Sequence, residues 1–180
     1  MSRRDEKGRP GKPGLLLSFV LALAAPVRLS GSEPARLQLQ AADNRSGLET
    51  TLGRAIQSAS QKLSTSACQQ VFSDFRDSAG QTLQQNLDAG GHTGEAHLAL
   101  MLFYNGNGMT RCQERSVLAS TSPGSRVIYV CAAQFVERLR RDPGLGAPLI
   151  IHEQLHSLGL AENPPDSREI TAQVIARCGR

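Results

Sequence analysis

Ile150-Ile151-His152-Glu153-Gln154-Leu155-His156-Ser157-Leu158-Gly159-Leu160-Ala161-Glu162 is the stretch on which the reading of this chain turns. Pro148, just ahead of it, suits the first turn of a helix, where its missing N–H costs nothing, and Gly159 suits the left-handed position that ends one. The stretch therefore reads as a short helix followed by a tight turn. At about 100° per residue, His152 and His156 fall roughly 40° apart on one face, while Ile151, Leu155 and Leu158 gather on another. The histidines are expected to face a cleft and the aliphatic side chains the core.

That spacing suits metal chemistry. Two imidazoles one turn apart can bind the same Zn²⁺ at about 2.0–2.1 Å, one ion per chain, while the glutamate between them flanks the face without ligating. Glu153 is then placed as general base towards a metal-activated water. Glu162 is the first candidate for the third ligand. Glu169, Asp166, His97 and His92 stay open beside it, although Asp166 and Glu169 also fit a helix cap and its capping-box partner ahead of Ile170, Val174 and Cys178. His92 follows two glycines as a loop residue would, and His97 lies in an apolar stretch.

On His152, Glu153 and His156 the chain resembles the zincin metallopeptidases, and the continuation through Gly159 to Glu162 resembles the extended metzincin register. In that family the glycine turns the chain back so that a residue three positions on becomes the third ligand, commonly His and sometimes Asp; here the position holds Glu162. The methionine that metzincins carry in a turn after the helix has no counterpart, since none follows Met109. The segment from Leu149 to Cys178 is similar to small exported bacterial zincin-like proteins. The resemblance implies hydrolysis of peptide bonds in a peptide or protein substrate. A disulfide-stapled binding or scaffold module, metal-binding but inactive, is the alternative.

Working outward, the N-terminus reads as an address. Arg3, Arg4, Lys7, Arg9 and Lys12 against Asp5 and Glu6 precede an apolar run from Leu15 to Ala25, about half the length needed to span a bilayer. Residues 1–25 are therefore expected to be a signal peptide cleaved near Ala24, residues 26–45 a flexible linker, and residues 46–180 a single domain in a secreted or periplasmic protein. The leader holds a net +3 of the chain's +4, so the remainder carries no basic face for nucleic acid. No later run is long enough to cross a membrane. Cys68, Cys112, Cys131 and Cys178 are even in number and lack C-x-x-C pairing, which predicts two disulfides in one of three connectivities.

The remaining elements follow from local signals. Ser46 and Glu49 form a capping-box pair ahead of Leu48, Leu52, Ala55, Ile56, Ala59 and Leu63 at helical spacing. Ala96 to Tyr104 is almost continuously apolar and is read as helix from the cap at Thr93. Val117–Thr121 and Arg126–Cys131 flank Ser122-Pro123-Gly124-Ser125 as a β-hairpin, and an edge of the second strand could hold an extended peptide by backbone pairing. Tyr104 and Tyr129 are read as half-buried packing residues rather than oxyanion donors. The expected fold is a small α+β zincin-like domain, with the hairpin beside the motif helix and a terminal helix, stapled by disulfides.

Overall fold

Leu48, Leu52, Ala55, Ile56, Ala59 and Leu63 are all buried along one side of α1 (Leu48–Leu63), as their spacing requires. The computed structural model describes residues 47–179, so the expected signal peptide, the linker and Ser46 lie outside the described residues. The N-cap residue of the helix is Gly47, at φ 65°, with no side-chain cap. Glycine takes that left-handed conformation without the steric penalty a Cβ would incur.

Two single-turn helices follow, α2 (Ser66–Gln69) and α3 (Val71–Asp74), and then α4 (Leu83–Ala89) and α5 (Gly94–Leu98), the last two capped by Thr82 and Thr93. Strands β1 (Leu102–Asn105), β2 (Ala119–Thr121) and β3 (Val127–Val130) lead into α6 (Ala132–Arg141), α7 (Gly146–Ser157) and α8 (Ser167–Cys178). The fold is α+β, with one core cluster running through the helices and the inner face of the sheet. No helix among the described residues is long and apolar enough to cross a membrane.

The expected hairpin is present as β2 antiparallel to β3, but β1 pairs parallel to β3 on its other side, giving the order β1-β3-β2. Two expectations change. The segment Ala96–Tyr104 is not one helix: it leaves α5 after Leu98 and enters β1, where buried Phe103 alternates with the more exposed Leu102 and Tyr104. A continuous apolar run hides such a change of period, because every position satisfies both patterns. The strand of Arg126–Cys131 is central, so neither of its edges is free for a peptide; the open edge beside the motif helix belongs to β2.

The motif helix α7 lies in the middle of the molecule rather than on its surface. Ile150, Ile151, Gln154 and Leu155 are fully buried and α1 packs along its length. A Cβ on Gly146 would stand 3.0 Å from the Ala55 Cβ, so the two helices approach through their smallest residues. Gln154 Nε2 donates to the Gly94 carbonyl at 2.6 Å, and the hairpin turn reaches the helix end through Gly124 N–H to the His156 carbonyl at 2.9 Å.

The disulfides are Cys68–Cys178, tying α2 to the last residue of α8, and Cys112–Cys131, tying the single turn Thr110–Gln113 to the start of α6. They fit an oxidising compartment. Helix α8 is held further by Arg177, whose guanidinium meets both Asp74 oxygens at 2.7 and 2.8 Å and keeps that carboxyl below its ordinary range.

Two outcomes check this architecture. Thiol titration of the denatured, unreduced chain is expected to find essentially no reactive sulfur, whereas four equivalents would contradict the pairing. Ala55→Leu is expected to cost about 1–3 kcal/mol in urea unfolding by forcing α1 and α7 apart, while Gln57→Leu on the exposed side of α1 should change stability by less than about 0.5 kcal/mol.

Candidate metal centre

His152 and His156 project from the last two turns of α7 as their four-residue spacing dictates, with their Nε2 atoms 3.0 Å apart. The chain then leaves the helix at Leu158, turns through Gly159 at φ 107°, and returns so that Glu162 Oε1 lies 3.5 Å from His156 Nε2 and 3.8 Å from His152 Nε2. A side chain at Gly159 would be strained by that φ and would also press on Asp77 at 3.2 Å. Asn86 holds the turn from outside, donating to the Leu158 carbonyl at 2.9 Å and to Asp77 Oδ2 at 3.0 Å.

Each imidazole has its tautomer set by the partner of its other nitrogen. His156 Nδ1 lies 2.8 Å from the Leu160 carbonyl, which only accepts, so Nδ1 carries the proton and Nε2 a lone pair. His152 Nδ1 lies 2.9 Å from Thr171 Oγ1, and that hydroxyl already donates to the Ser167 carbonyl at 2.9 Å, so it accepts from His152. Its Nε2 therefore also presents a lone pair. Burial, and then the neighbouring His156, push the His152 imidazole down to about 3, so His152 itself takes up no second proton near neutral pH.

Two lone pairs aimed at each other at 3.0 Å, with a carboxylate oxygen beside them, form a site for a cation. Three atoms at these separations lie on a circle of radius about 2.0 Å, the length of a zinc–nitrogen or zinc–oxygen bond. The cluster His152, His156 and Glu162 could thus hold a metal ion, and it is the one group of three such ligands among the described residues. The histidines are 5% exposed and do not stand in an open cleft as expected; the Glu162 side chain, 32% exposed, marks where the centre meets solvent.

The other candidates lie elsewhere. Asp166 Oδ1 accepts from the Arg168 and Glu169 N–H groups and Glu169 Oε2 accepts from Asp166 N–H, so both carboxylates are engaged in the cap of α8. His97 Nε2 lies 2.9 Å from Ser157 Oγ, whose proton goes to the Gln154 carbonyl, and burial lowers the affinity of His97 for a second proton. His92 stands beside His97, with ring centroids 6.3 Å apart. Tyr104 and Tyr129 stack across the sheet at 6.0 Å on the face opposite the inward Phe103 and Ile128, away from the core.

Glu153 is 6% exposed, and its Oε2 has no hydrogen-bond partner. Burial pushes its carboxyl up to about 7; the Thr121 hydroxyl opposes this without completing a hydrogen bond, the Glu162 charge raises it further, and the Arg111 charge lowers it. Sequence reasoning did not find Thr171, the Leu160 carbonyl or Thr121. The first two act across a turn or from another helix and leave no local pattern, whereas Thr121 left a faint one as a hydroxyl on the inward side of a short strand. Comparison of the chain with family models, with curated proteins and with solved structures finds no match.

Thr171→Val removes the acceptor that orients His152 while preserving shape. It is expected to weaken divalent-metal binding about 10–100-fold in competition with a chromophoric chelator, and to lower the melting temperature of the metal-free chain by a few degrees, because the buried His152 Nδ1–H loses its acceptor.

Proposed function

We propose that this chain is an exported zinc-dependent peptidase, with His152, His156 and Glu162 holding the ion and Glu153 acting as general base. The observation that carries the reading is the pair of imidazole lone pairs converging with Glu162 Oε1, next to a buried carboxylate oxygen without a partner. Two imidazoles and one carboxylate are a donor set that zinc accepts, and three protein ligands leave a position for water and substrate. Zinc in such a site polarises a carbonyl and lowers the pKa of water to about 7.

The chain's own residues supply the rest. Leu160 and Thr171 keep the imidazole lone pairs turned inward. The Glu153 carboxylate takes a proton from the attacking water and returns it to the leaving amide nitrogen, and burial brings its basicity close to neutral, where such a group works well. The open edge of β2, packed against α7, offers main-chain groups along which an extended peptide can align. The disulfides support placement outside the cytoplasm, in keeping with the leader read from the sequence.

Glu153→Gln separates binding from chemistry. The variant is expected to keep about one zinc per chain while peptide cleavage falls roughly 10²–10⁴-fold. His156→Ala and Glu162→Ala should lose metal and activity together. Wild-type protein that takes up no zinc on reconstitution, or that cleaves no faster than Glu153→Gln, would overturn the peptidase reading; zinc uptake without cleavage would leave a metal-binding module.

A further inference from the structure

The register of the hairpin decides where Thr121 points. Thr121 pairs with Ile128, so the two side chains share a face of the sheet, and Ile128 is fully buried on the inner side with Phe103 and Val130. Helix α7 packs against β2 on that side, and the turn following β2 is fastened to α7 by the Gly124 N–H on the His156 carbonyl at 2.9 Å. A hydroxyl therefore enters the interior from a strand that packs against the helix carrying His152, Glu153 and His156.

Three buried side-chain polar atoms among the described residues have no hydrogen-bond partner: Thr121 Oγ1, Glu153 Oε2 and Gln154 Oε1. The last two are acceptors when Glu153 is ionised, so neither can serve the other, and only the threonine hydroxyl carries a proton to give. Leaving a buried donor and a buried carboxylate oxygen both unpaired is costly, and a hydrogen bond between them would relieve both.

We propose that Thr121 is a positioning residue for Glu153, donating its hydroxyl proton to the carboxylate and thereby fixing the oxygen that receives the proton from water. This rests on the reading of Glu153 as the base. Fixing the carboxylate sets its line of approach to the water, and misplacement by about 1 Å can cost of the order of 100-fold in rate. The pairing also explains a polar residue on the inward face of a strand whose other inward neighbours are apolar.

The test uses the full chain with Thr121→Val, Thr121→Ser, Glu153→Ala and the double variant Thr121→Val with Glu153→Ala. Thr121→Val should keep its zinc yet lose kcat about 10-fold or more with KM little changed, and Thr121→Ser should restore most of it. Independently of activity, Thr121→Val should lower the melting temperature of the metal-free chain in the wild-type background and not in the Glu153→Ala background. The two shifts should differ by about 3 °C or more. Equal shifts in the two backgrounds would overturn the pairing, and an unchanged kcat in Thr121→Val would overturn the positioning role. Should wild type bind no zinc, the peptidase reading falls by itself, while the melting comparison still decides whether Thr121 and Glu153 are partners.

Discussion

Everything around α7 answers to one constraint: two imidazole nitrogens, each with its lone pair exposed and its proton on the far side, are held 3.0 Å apart in a nearly dry interior. Such an arrangement is unfavourable unless both rings are locked by their other nitrogens, because either could relieve the repulsion by turning or changing tautomer. The locks come from different parts of the chain. One is the Leu160 carbonyl, delivered by the turn at Gly159; the other is Thr171, delivered by α8. The turn is braced by Asn86 and Asp77, and α8 by Cys68, Asp74 and Gln70. The long-range fastenings of the molecule therefore converge on the orientation of two rings.

This placement has a packing consequence. A surface helix needs one apolar face, but α7 is enclosed by α1, α8 and β2 and must satisfy its polar side chains internally. Gln154 spends its amide on the Gly94 carbonyl, Ser157 spends its hydroxyl on the Gln154 carbonyl, and the close approach of Gly146 to Ala55 lets α1 cover the remainder. Among the described residues, Glu153 Oε2 and Gln154 Oε1 on this helix and Thr121 Oγ1 on β2 are left unsatisfied.

Local rules made much of this legible. The motif helix, the hairpin, the cap at Thr93, the Asp166–Glu169 box and an even set of cysteines each depend on residues within a few positions of one another. What could not be read depends on partners far along the chain. Leu102–Asn105 becomes a strand because β3 offers a parallel edge, which the apolar run itself does not announce. The pairing of Cys68 with Cys178 spans 110 residues, and Thr171 meets His152 only after α8 has docked. The helix α7 was expected to be two-faced, and its full burial follows from what surrounds it rather than from its own sequence. The register of β2 lies between these cases: alternation points Thr121 inward, but only the packed neighbour α7 gives that direction a meaning.

Both kinds of information bear on which residue stands third beside the two imidazoles in the cluster that could hold a metal ion. Asp166 and Glu169 lie close by in sequence, yet their oxygens already accept the first N–H groups of α8 and each other's, so recruiting either would uncap the helix that carries Thr171. Glu162 has no such duty, and it sits where the turn returns to the rings. Charge points the same way. Two neutral imidazoles and one carboxylate around a dication leave a net +1, which ionised Glu153 brings to zero, whereas an imidazole at position 162 would leave a positive charge in a centre whose other groups are nearly buried. A glutamate in that register would thus let a dication and an ionised Glu153 share one enclosed space without an unbalanced charge.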